Sequence, residues 1–385
     1  MAQQMMHIRN GKLHLPGGFG RGDILTDGGI IGQIGPDLNT PSGAVVLDAT
    51  GLDVFPGIVL PMCSVGALAI SEDITYWDKD ETSDPITPQL YIRHAFDLRE
   101  LKNQRMLSMG VTSYGLSPGL RNLISGQMVF INSFGARTDD VFLAERIALK
   151  GNFIKQVRMT YGQSTPRTHM AMYQMLDEAL REAAEYAGAD NPAYNAKNEA
   201  IARVIKREIP FFVNAYSQSE IESMLELGEK YNLRLVLCGA FAAHKCGEKI
   251  IKMDIPVVLG DGILLSGSLE YGADYEAIVD LYRKGLKLSI GGSGDEGYPV
   301  AYESAMWTAA MLRRAGATAD EVIDMMTIEP AAALGMDQLV GSLAPGKRAD
   351  IMICNGNPAQ SYDSAVQHTI VAGSRVYDRE ADHAN

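Results

Sequence analysis

Eight short apolar segments spread over residues 54–291 constrain the fold of this chain more than any other feature. In chain order they are VFPGIVL, GVTSYG, MVFINS, ALKGNF, PFFVNA, LVLC, VVLG and LSIG. Segments with helical periodicity separate several of them, such as 219–232 and 274–286. Eight parallel strands that alternate with helices are typical of a (β/α)8 TIM barrel, in which functional side chains lie at the carboxyl ends of the strands.

Local sequence signals mark where some of the helices begin. Ser217 and Glu220 form a capping-box pattern ahead of the helix at 219–232. The pair Thr165-Pro166 predicts the start of another helix. Its apolar residues fall on one face: Met172, Met175, Leu176, Ala179, Leu180 and Ala183. Further helices are predicted near 243–253, 299–315 and 319–326.

Both ends of the chain predict short strands separated by turns. Near the start these are IIGQI and AVVLD, and near the end ADIMIC and HTIVAGSRVYD. Two β-rich ends that flank an α/β middle indicate one small domain assembled from both termini. We therefore expect a composite β-sandwich domain of residues 1–52 plus 343–385 and a barrel of residues 53–342.

Composition narrows the functional class. The 385 residues carry a formal net charge of −13, which argues against nucleic acid or an anionic membrane as a partner. No apolar run reaches membrane-spanning length, and MAQQMMHIRN has no signal-peptide pattern, so we expect a cytoplasmic protein. The cysteines are Cys63, Cys238, Cys246 and Cys354, whose spacing predicts reduced thiols rather than a disulfide framework.

Three motifs resemble the amidohydrolase superfamily, in particular its imidazolonepropionase-like branch. They are VLDATGLDVFPGIVLPMCSVG (46–66), IEPAAALGM (328–336) and GSLAPGKRADIMI (341–353). The first is similar to the family's opening signature, V-x-D-x-x-G-x-x-V-x-P-G-(L/F)-I-D-x-H-x-H-x-G. The resemblance implies a barrel whose mouth holds one or two divalent metals, which activate water for attack on a carbonyl or imine carbon.

The residues that the resemblance places at the metal site are poor metal ligands. Met62 and Ser64 replace the two histidines of strand 1, while Glu145 and Lys150 of strand 4 are retained. Asn214 and Tyr216 stand for the histidines of strand 5, Cys238 and Gly239 for the Glu-His of strand 6, and Ser293 for the aspartate of strand 8. None of the seven histidines compensates at a strand end. We expect a vestigial pocket without metal or cofactor, because such sites need three or four suitable donors.

Three functions follow as hypotheses. The first is a catalytically inactive amidohydrolase homologue, a structural or regulatory subunit that pairs with a metal-bearing paralogue or forms a homo-oligomer. The second is a hydrolase of C–N bonds in a cyclic amide or related substrate, with a rebuilt metal-free site; its candidates are Lys150, Tyr216, Cys238, Ser293 and Asp295. The third is a small-molecule binding protein whose emptied pocket is lined by Met62, Asn214, Tyr216 and Cys238.

For several of these residues, a purely structural role competes with a catalytic or binding role. Cys63 and Cys238 lie near the expected mouth, but a thiol nucleophile needs a base, and free cysteines usually serve as buried packing. Ser293 lies in a glycine-rich turn that is not a nucleophile elbow. Glu145 and Lys150 are interpreted as a relic or a scaffold salt bridge.

Overall fold

The predicted strand segments fold into two eight-stranded sheets in the computed structural model. The structure describes residues 5–67, 78–99, 101–260, 272–291, 304–361 and 363–382. The strands are, in chain order, β1 (Met6–Leu15), β2 (Gly18–Asp27), β3 (Ile30–Gly35), β4 (Val45–Asp48), β5 (Asp53–Pro56), β6 (Ile58–Cys63), β7 (Val111–Leu116), β8 (Ile124–Asn132), β9 (Phe142–Asn152), β10 (Phe211–Asn214), β11 (Leu235–Gly239), β12 (Val257–Leu259), β13 (Leu288–Ile290), β14 (Ile351–Cys354), β15 (Val366–Val371) and β16 (Ser374–Asp378).

The helices alternate with the later strands of the barrel. They are, in chain order, α1 (Leu101–Ser108), α2 (Lys155–Thr160), α3 (His169–Gly188), α4 (Ala196–Ile205), α5 (Gln218–Lys230), α6 (Gly247–Lys252), α7 (Tyr275–Arg283), α8 (Ser304–Arg314), α9 (Ala319–Met326), α10 (Ile328–Ala333) and α11 (Arg379–Asp382). Among the helices of the described ranges, none has the length and apolar character that a bilayer crossing requires.

The first sheet is built from both ends of the chain. Its strand order is β16-β15-β14-β5-β1-β2-β3, and β4 pairs with β1. The two ends meet where β5 runs antiparallel to β14, with Asp53 opposite Cys354 and Pro56 opposite Ile351. One face buries a cluster that includes Ile8, Ile24 and Ile353. The strands form one hydrogen-bonded sheet, and the two packed layers of a sandwich remain a prediction, as do the domain boundaries.

The second sheet forms a nearly closed barrel in the order β13-β12-β11-β10-β9-β8-β7-β6. All eight predicted segments supply strands to it. The prediction that all eight run parallel is wrong for the third, because β8 pairs antiparallel with both β7 and β9. The connection at 117–123 is too short for the crossover that parallel strands need. The amino end of β8 therefore lies at the barrel mouth, where Ile124 pairs with Gly151.

Gly57 marks the point where the chain passes from the first sheet into the barrel. It separates β5 from β6, so the predicted segment VFPGIVL is divided between the two sheets. A Cβ atom on Gly57 would lie 2.2 Å from the hydroxyl oxygen of Thr112 in β7. Only glycine allows the backbone to approach β7 this closely at the first turn into the barrel.

The inside of the barrel is filled by side chains from alternate strand positions. This interior cluster includes Val59, Met128, Phe130, Ala148, Phe212, Val236 and Val258, and α10 contributes Ala331 and Ala333. The intervening residues, such as Val213 and Leu237, pack with the helices in a larger outer cluster. This alternation decides which side chains face the barrel axis.

The helix signals are partly confirmed. The capping box of α5 is present, with Ser217 accepting from the Glu220 amide. The helix predicted from Thr165-Pro166 begins instead at His169, because the Thr168 hydroxyl caps it by accepting from the Ala171 amide. The segment 243–253 is divided into a 3-10 turn and α6. The sequence predictions did not include α1, α2, α4, α10 and α11.

Candidate functional site

The barrel mouth brings together most of the predicted pocket residues that the structure describes. Met62 lies at the end of β6 and Ser64 directly after it, Lys150 lies near the end of β9, Asn214 ends β10, and Cys238 lies near the end of β11. Each of these five side chains is completely buried. The mouth therefore has a tightly packed polar layer above the apolar interior cluster.

Lys150 is the central charge of this layer. Its ammonium donates to the main-chain oxygen of Gly151 at 2.8 Å and to the side-chain oxygen of Asn214 at 2.6 Å. It also donates to the side-chain oxygen of Asn152. Each of these three acceptors is a neutral oxygen. The amide of Asn214, the position at which the resemblance places a histidine of strand 5, is therefore engaged by an internal cation.

Asn152, which the sequence predictions did not include, is fixed by the neighbouring connection. Its amide donates to the main-chain oxygen of Asn122 at 2.7 Å and to the Ser125 hydroxyl at 2.9 Å. Because both donors of the amide are used in this way, its oxygen is turned toward Lys150. Asn152 follows Lys150 by two residues on one strand, so the same-face rule for strands could have placed it in the site.

Asn122 extends the polar layer outward and was also missed. Its side chain donates to the Thr87 hydroxyl at 2.8 Å and accepts from the Tyr161 hydroxyl at 2.9 Å. Burial raises the pKa of Tyr161, and nearby carboxylates, with Asp84 first, raise it further. Tyr161 therefore remains a neutral donor at physiological pH.

Tyr216 fills the space above strand β11. Its hydroxyl accepts from the Asn214 amide at 3.3 Å, and its ring packs edge-on against Phe241 at 5.2 Å between centroids. A Cβ atom on Gly239 would lie 2.2 Å from a ring carbon of Tyr216. Gly239 has φ +75°, a conformation that favours glycine. A phenol ring thus lies over Gly239, the position at which the resemblance places a histidine.

The side chains of Met62 and Ser64 take part in packing and in a hydrogen bond to the main chain. The Met62 side chain belongs to the apolar interior cluster. The Ser64 hydroxyl donates to the main-chain oxygen of Ser117 at 3.0 Å. The Cys63 carbonyl between them accepts from the Ser117 amide at 2.8 Å. These contacts tie the end of β6 to the segment that follows β7.

Cys238 is a protonated thiol at physiological pH. Burial raises its pKa to about 12, although the positive charge of Lys150 acts in the opposite direction. Its sulfur lies 3.7 Å from the main-chain oxygen of Val236. The prediction that Cys63 and Cys238 are buried is confirmed. The geometry does not favour Cys238 as a nucleophile, because a thiolate is the reactive form.

Glu145 is not brought to the mouth with the other residues. It lies on the exposed early part of β9 and forms an ion pair with Arg93, whose guanidinium also lies 4.3 Å from the centre of the Phe142 ring. The predicted pairing of Glu145 with Lys150 in one pocket therefore differs from the observed arrangement. Ser293 and Asp295 lie outside the described residues.

The described donors at the mouth do not fit a zinc-type ion. Met62 offers a thioether inside an apolar cluster, and Cys238 offers a thiol whose pKa is raised to about 12. The oxygen of Asn214 already accepts from the Lys150 ammonium, whose positive charge also opposes a second cation. Across the described ranges, which leave out 68–77, 261–271 and 292–303, no three His, Cys, Asp or Glu side chains form a group that could hold a metal.

Comparison with known proteins identifies relatives of this chain. The sequence profile of the Amidohydrolase family matches residues 268–376. A 5′-deoxyadenosine deaminase of Methanobrevibacter smithii is 21% identical and aligns over 93% of this chain and 86% of its own length. Amidohydrolase tasK of Hapsidospora irregularis is 22% identical over 88% of this chain, but the match spans only 38% of that protein.

A solved structure has the same fold throughout. An amidohydrolase from Thermotoga maritima superposes with a TM-score of 0.89 at 25% sequence identity. The match covers 97% of this chain and 100% of that one. The two chains therefore share the same overall fold over nearly their full lengths.

Proposed function

We propose that this chain, which belongs to the amidohydrolase superfamily, is a catalytically inactive member that serves as a structural or regulatory subunit. We infer that its partner is a metal-dependent amidohydrolase homologue. The named relatives include a deaminase and an amidohydrolase, so we infer that this chain descends from a hydrolytic enzyme. The proposal is that the barrel is retained while the metal chemistry at its mouth is lost.

The observation that carries the proposal is the position of the Lys150 ammonium. It bonds to Asn214, the residue at a ligand position of strand 5, and to Asn152 beside it. A divalent ion in the same place would face a like charge and would have to displace this bond. Inside a barrel of low dielectric constant, such repulsion is larger than in water. Lys150 thus supplies the positive charge that polar side chains at the mouth otherwise obtain from a metal.

The surroundings of Lys150 further support this proposal. Tyr216 closes over Gly239, and Ser64 is bonded to the main chain. A hydrolytic site needs an activated water and a base within hydrogen-bond reach of it. The described side chains around Lys150 are amides, hydroxyls, a protonated thiol and a thioether, none of which is a good base.

An activity assay with a matched partner tests the proposal. The purified chain is expected to show no turnover of 5′-deoxyadenosine or of a cyclic amide, with or without added zinc or manganese. The chain isolated from its natural host is expected to be in a complex with a histidine-bearing homologue, and removal of this chain should change that enzyme's stability or rate. Turnover by the purified chain that the Lys150→Met substitution abolishes would reject the proposal.

A further inference from the structure

A cavity lies at the end of the barrel opposite the candidate site. It has a volume of about 680 Å³ and opens where β10, β11, β12 and β13 begin. This volume falls within the range of roughly 300–1,000 Å³ of small-molecule sites. Proline and alanine residues leave the space open, among them Pro210, Pro256, Ala332 and Ala333. The cavity is separate from the mouth and needs its own explanation.

Ser289 is an almost fully buried polar residue that lines this cavity. The side chain is 1% exposed and lies in β13 between Leu288 and Ile290, which pack into the outer cluster. Within the described part of the chain, the hydroxyl has no hydrogen-bond partner, although it lines the cavity. Because the hydroxyl lines the cavity, it is available to pair with a ligand or with water that enters there.

One wall of the cavity carries a carboxylate without an observed partner. Glu329 is half-buried at the start of α10, and burial raises its pKa, as does the nearby charge of Asp324. Lys287 acts in the opposite direction, but its ammonium is bonded to Asp254 at 2.6 Å. No hydrogen bond or ion pair of Glu329 is found among the described residues. A donor or a cation that entered the cavity would satisfy this carboxylate.

The rim carries two guanidinium groups that are not neutralised. Arg207 donates to the main-chain oxygen of Asn232 at 2.7 Å, and Arg234 donates to that of Arg207 at 3.3 Å. Neither forms an ion pair with a carboxylate of the described residues. Two other acidic residues of the cavity lining are paired: Glu229 with Lys249 at 2.7 Å and Asp254 with Lys287 at 2.6 Å. The rim therefore presents positive charge, and the wall presents negative charge.

We propose that this cavity binds a small zwitterion, whose ammonium contacts Glu329 and Ser289 and whose carboxylate contacts Arg234 and Arg207. A planar guanidinium forms paired hydrogen bonds with a carboxylate, and an ammonium forms a charge-assisted hydrogen bond with a half-buried carboxylate. The site requires no metal and uses none of the residues at the barrel mouth. The cavity lies at the starts of the strands that carry Asn214 and Cys238 near their ends.

Calorimetry with a series of ω-amino acids tests this site. Glycine, β-alanine, 4-aminobutyrate and 6-aminohexanoate differ only in the distance between ammonium and carboxylate. We expect one length to bind best, and the amine and the carboxylic acid of that same chain length, which each lack one charge, to bind at least about tenfold more weakly. If no member of the series binds, or if the single-charge analogues bind as tightly, the proposal is wrong.

Substitutions locate the binding to this cavity. Glu329→Gln and Arg234→Gln are each expected to weaken the best ligand by about tenfold or more. Glu276→Gln, at an exposed position of α7 outside the cavity, should leave the affinity unchanged. Glu329→Gln removes a half-buried charge, so this variant should fold. It therefore tests whether the ligand binds in this cavity even if Arg234→Gln does not fold. Unchanged affinity in Glu329→Gln would overturn the assignment.

Discussion

The Lys150 ammonium and the Asn214 side-chain oxygen lie 2.6 Å apart, and both side chains are completely buried. This hydrogen bond joins β9 to β10 at the mouth of the barrel, where the superfamily resemblance implies a metal ion. A fixed internal cation thus takes part in the architecture of the mouth. Its loss should therefore be measurable as a loss of stability.

The substitution Lys150→Met tests the structural role of this cation. Methionine keeps most of the length but leaves the oxygens of Asn152 and Asn214 without their donor. Leaving a buried acceptor unpaired costs about 1–3 kcal/mol, so for two acceptors we expect a loss of roughly 2–6 kcal/mol in the free energy of unfolding. Urea denaturation measures it.

Lys284→Met is the matched control for this change. Lys284 is exposed after α7, and its substitution should change the free energy of unfolding by less than about 0.5 kcal/mol. Equal stability of the two variants would show that the Lys150 bonds contribute nothing.

The contact between Gly239 and Tyr216 gives a second prediction. An alanine Cβ at 239 would lie 2.2 Å from the tyrosine ring and would also hold a positive φ of +75°. Gly335 has φ +73° and open space around it, so Gly335→Ala measures the backbone cost alone, about 1–2 kcal/mol. Gly239→Ala should cost clearly more in urea denaturation. If the two substitutions cost the same, the ring does not lie where the structure places it.

Glu220 provides a third test, because it connects the α5 cap to Tyr216. Its carboxylate accepts from the amides of Tyr216 and Ser217, both at 2.9 Å. We expect Glu220→Ala to lower the free energy of unfolding by about 1–2 kcal/mol through the lost cap. The control is Glu222→Ala, which removes only an exposed bond to Gln218 and should cost a few tenths of a kcal/mol. A larger loss at Glu222 would contradict this assignment.

The cysteines give a pH-dependent prediction. Burial raises the pKa of Cys238 to about 12, so the folded protein keeps this proton where an unfolded thiol, with a pKa of about 8.5, loses it. Stability from this group is complete below the unfolded pKa and is lost as pH rises from about 8.5 toward 12. Native alkylation of Cys238 followed by mass spectrometry should therefore stay slow at pH 7–9. Rapid labelling that levels off within this range would contradict the buried, protonated thiol.

Much of the barrel could be predicted because apolar runs and turn residues locate strands well. The direction of β8 was predicted wrongly, because the apolar pattern of a strand is the same in both directions. The short connection 117–123 was the available signal. Asn122 was missed because an isolated amide matches no motif, whereas Asn152 could have been placed in the site from its spacing of two residues from Lys150.

Glu145 was assigned to the wrong neighbourhood for two physical reasons. It precedes Lys150 by five residues, which in an extended strand is roughly 16 Å toward the other end of the barrel. Arg146 has φ +50°, and the pairing of β8 with β9 shifts nearby, so alternation along the strand is interrupted. Position in a motif therefore predicted the strand correctly but not the surroundings of this side chain.

Metal quantification by mass spectrometry tests the central claim most directly. The chain is produced in medium supplemented with zinc, manganese and iron, purified without chelator, and measured beside its Asn214→Ala variant. We predict far less than one equivalent of any divalent metal per chain, with no difference between the two proteins. One or more tightly held equivalents that fall on substitution of Asn214 would contradict the claim that an ammonium, rather than a metal, occupies the mouth of this barrel.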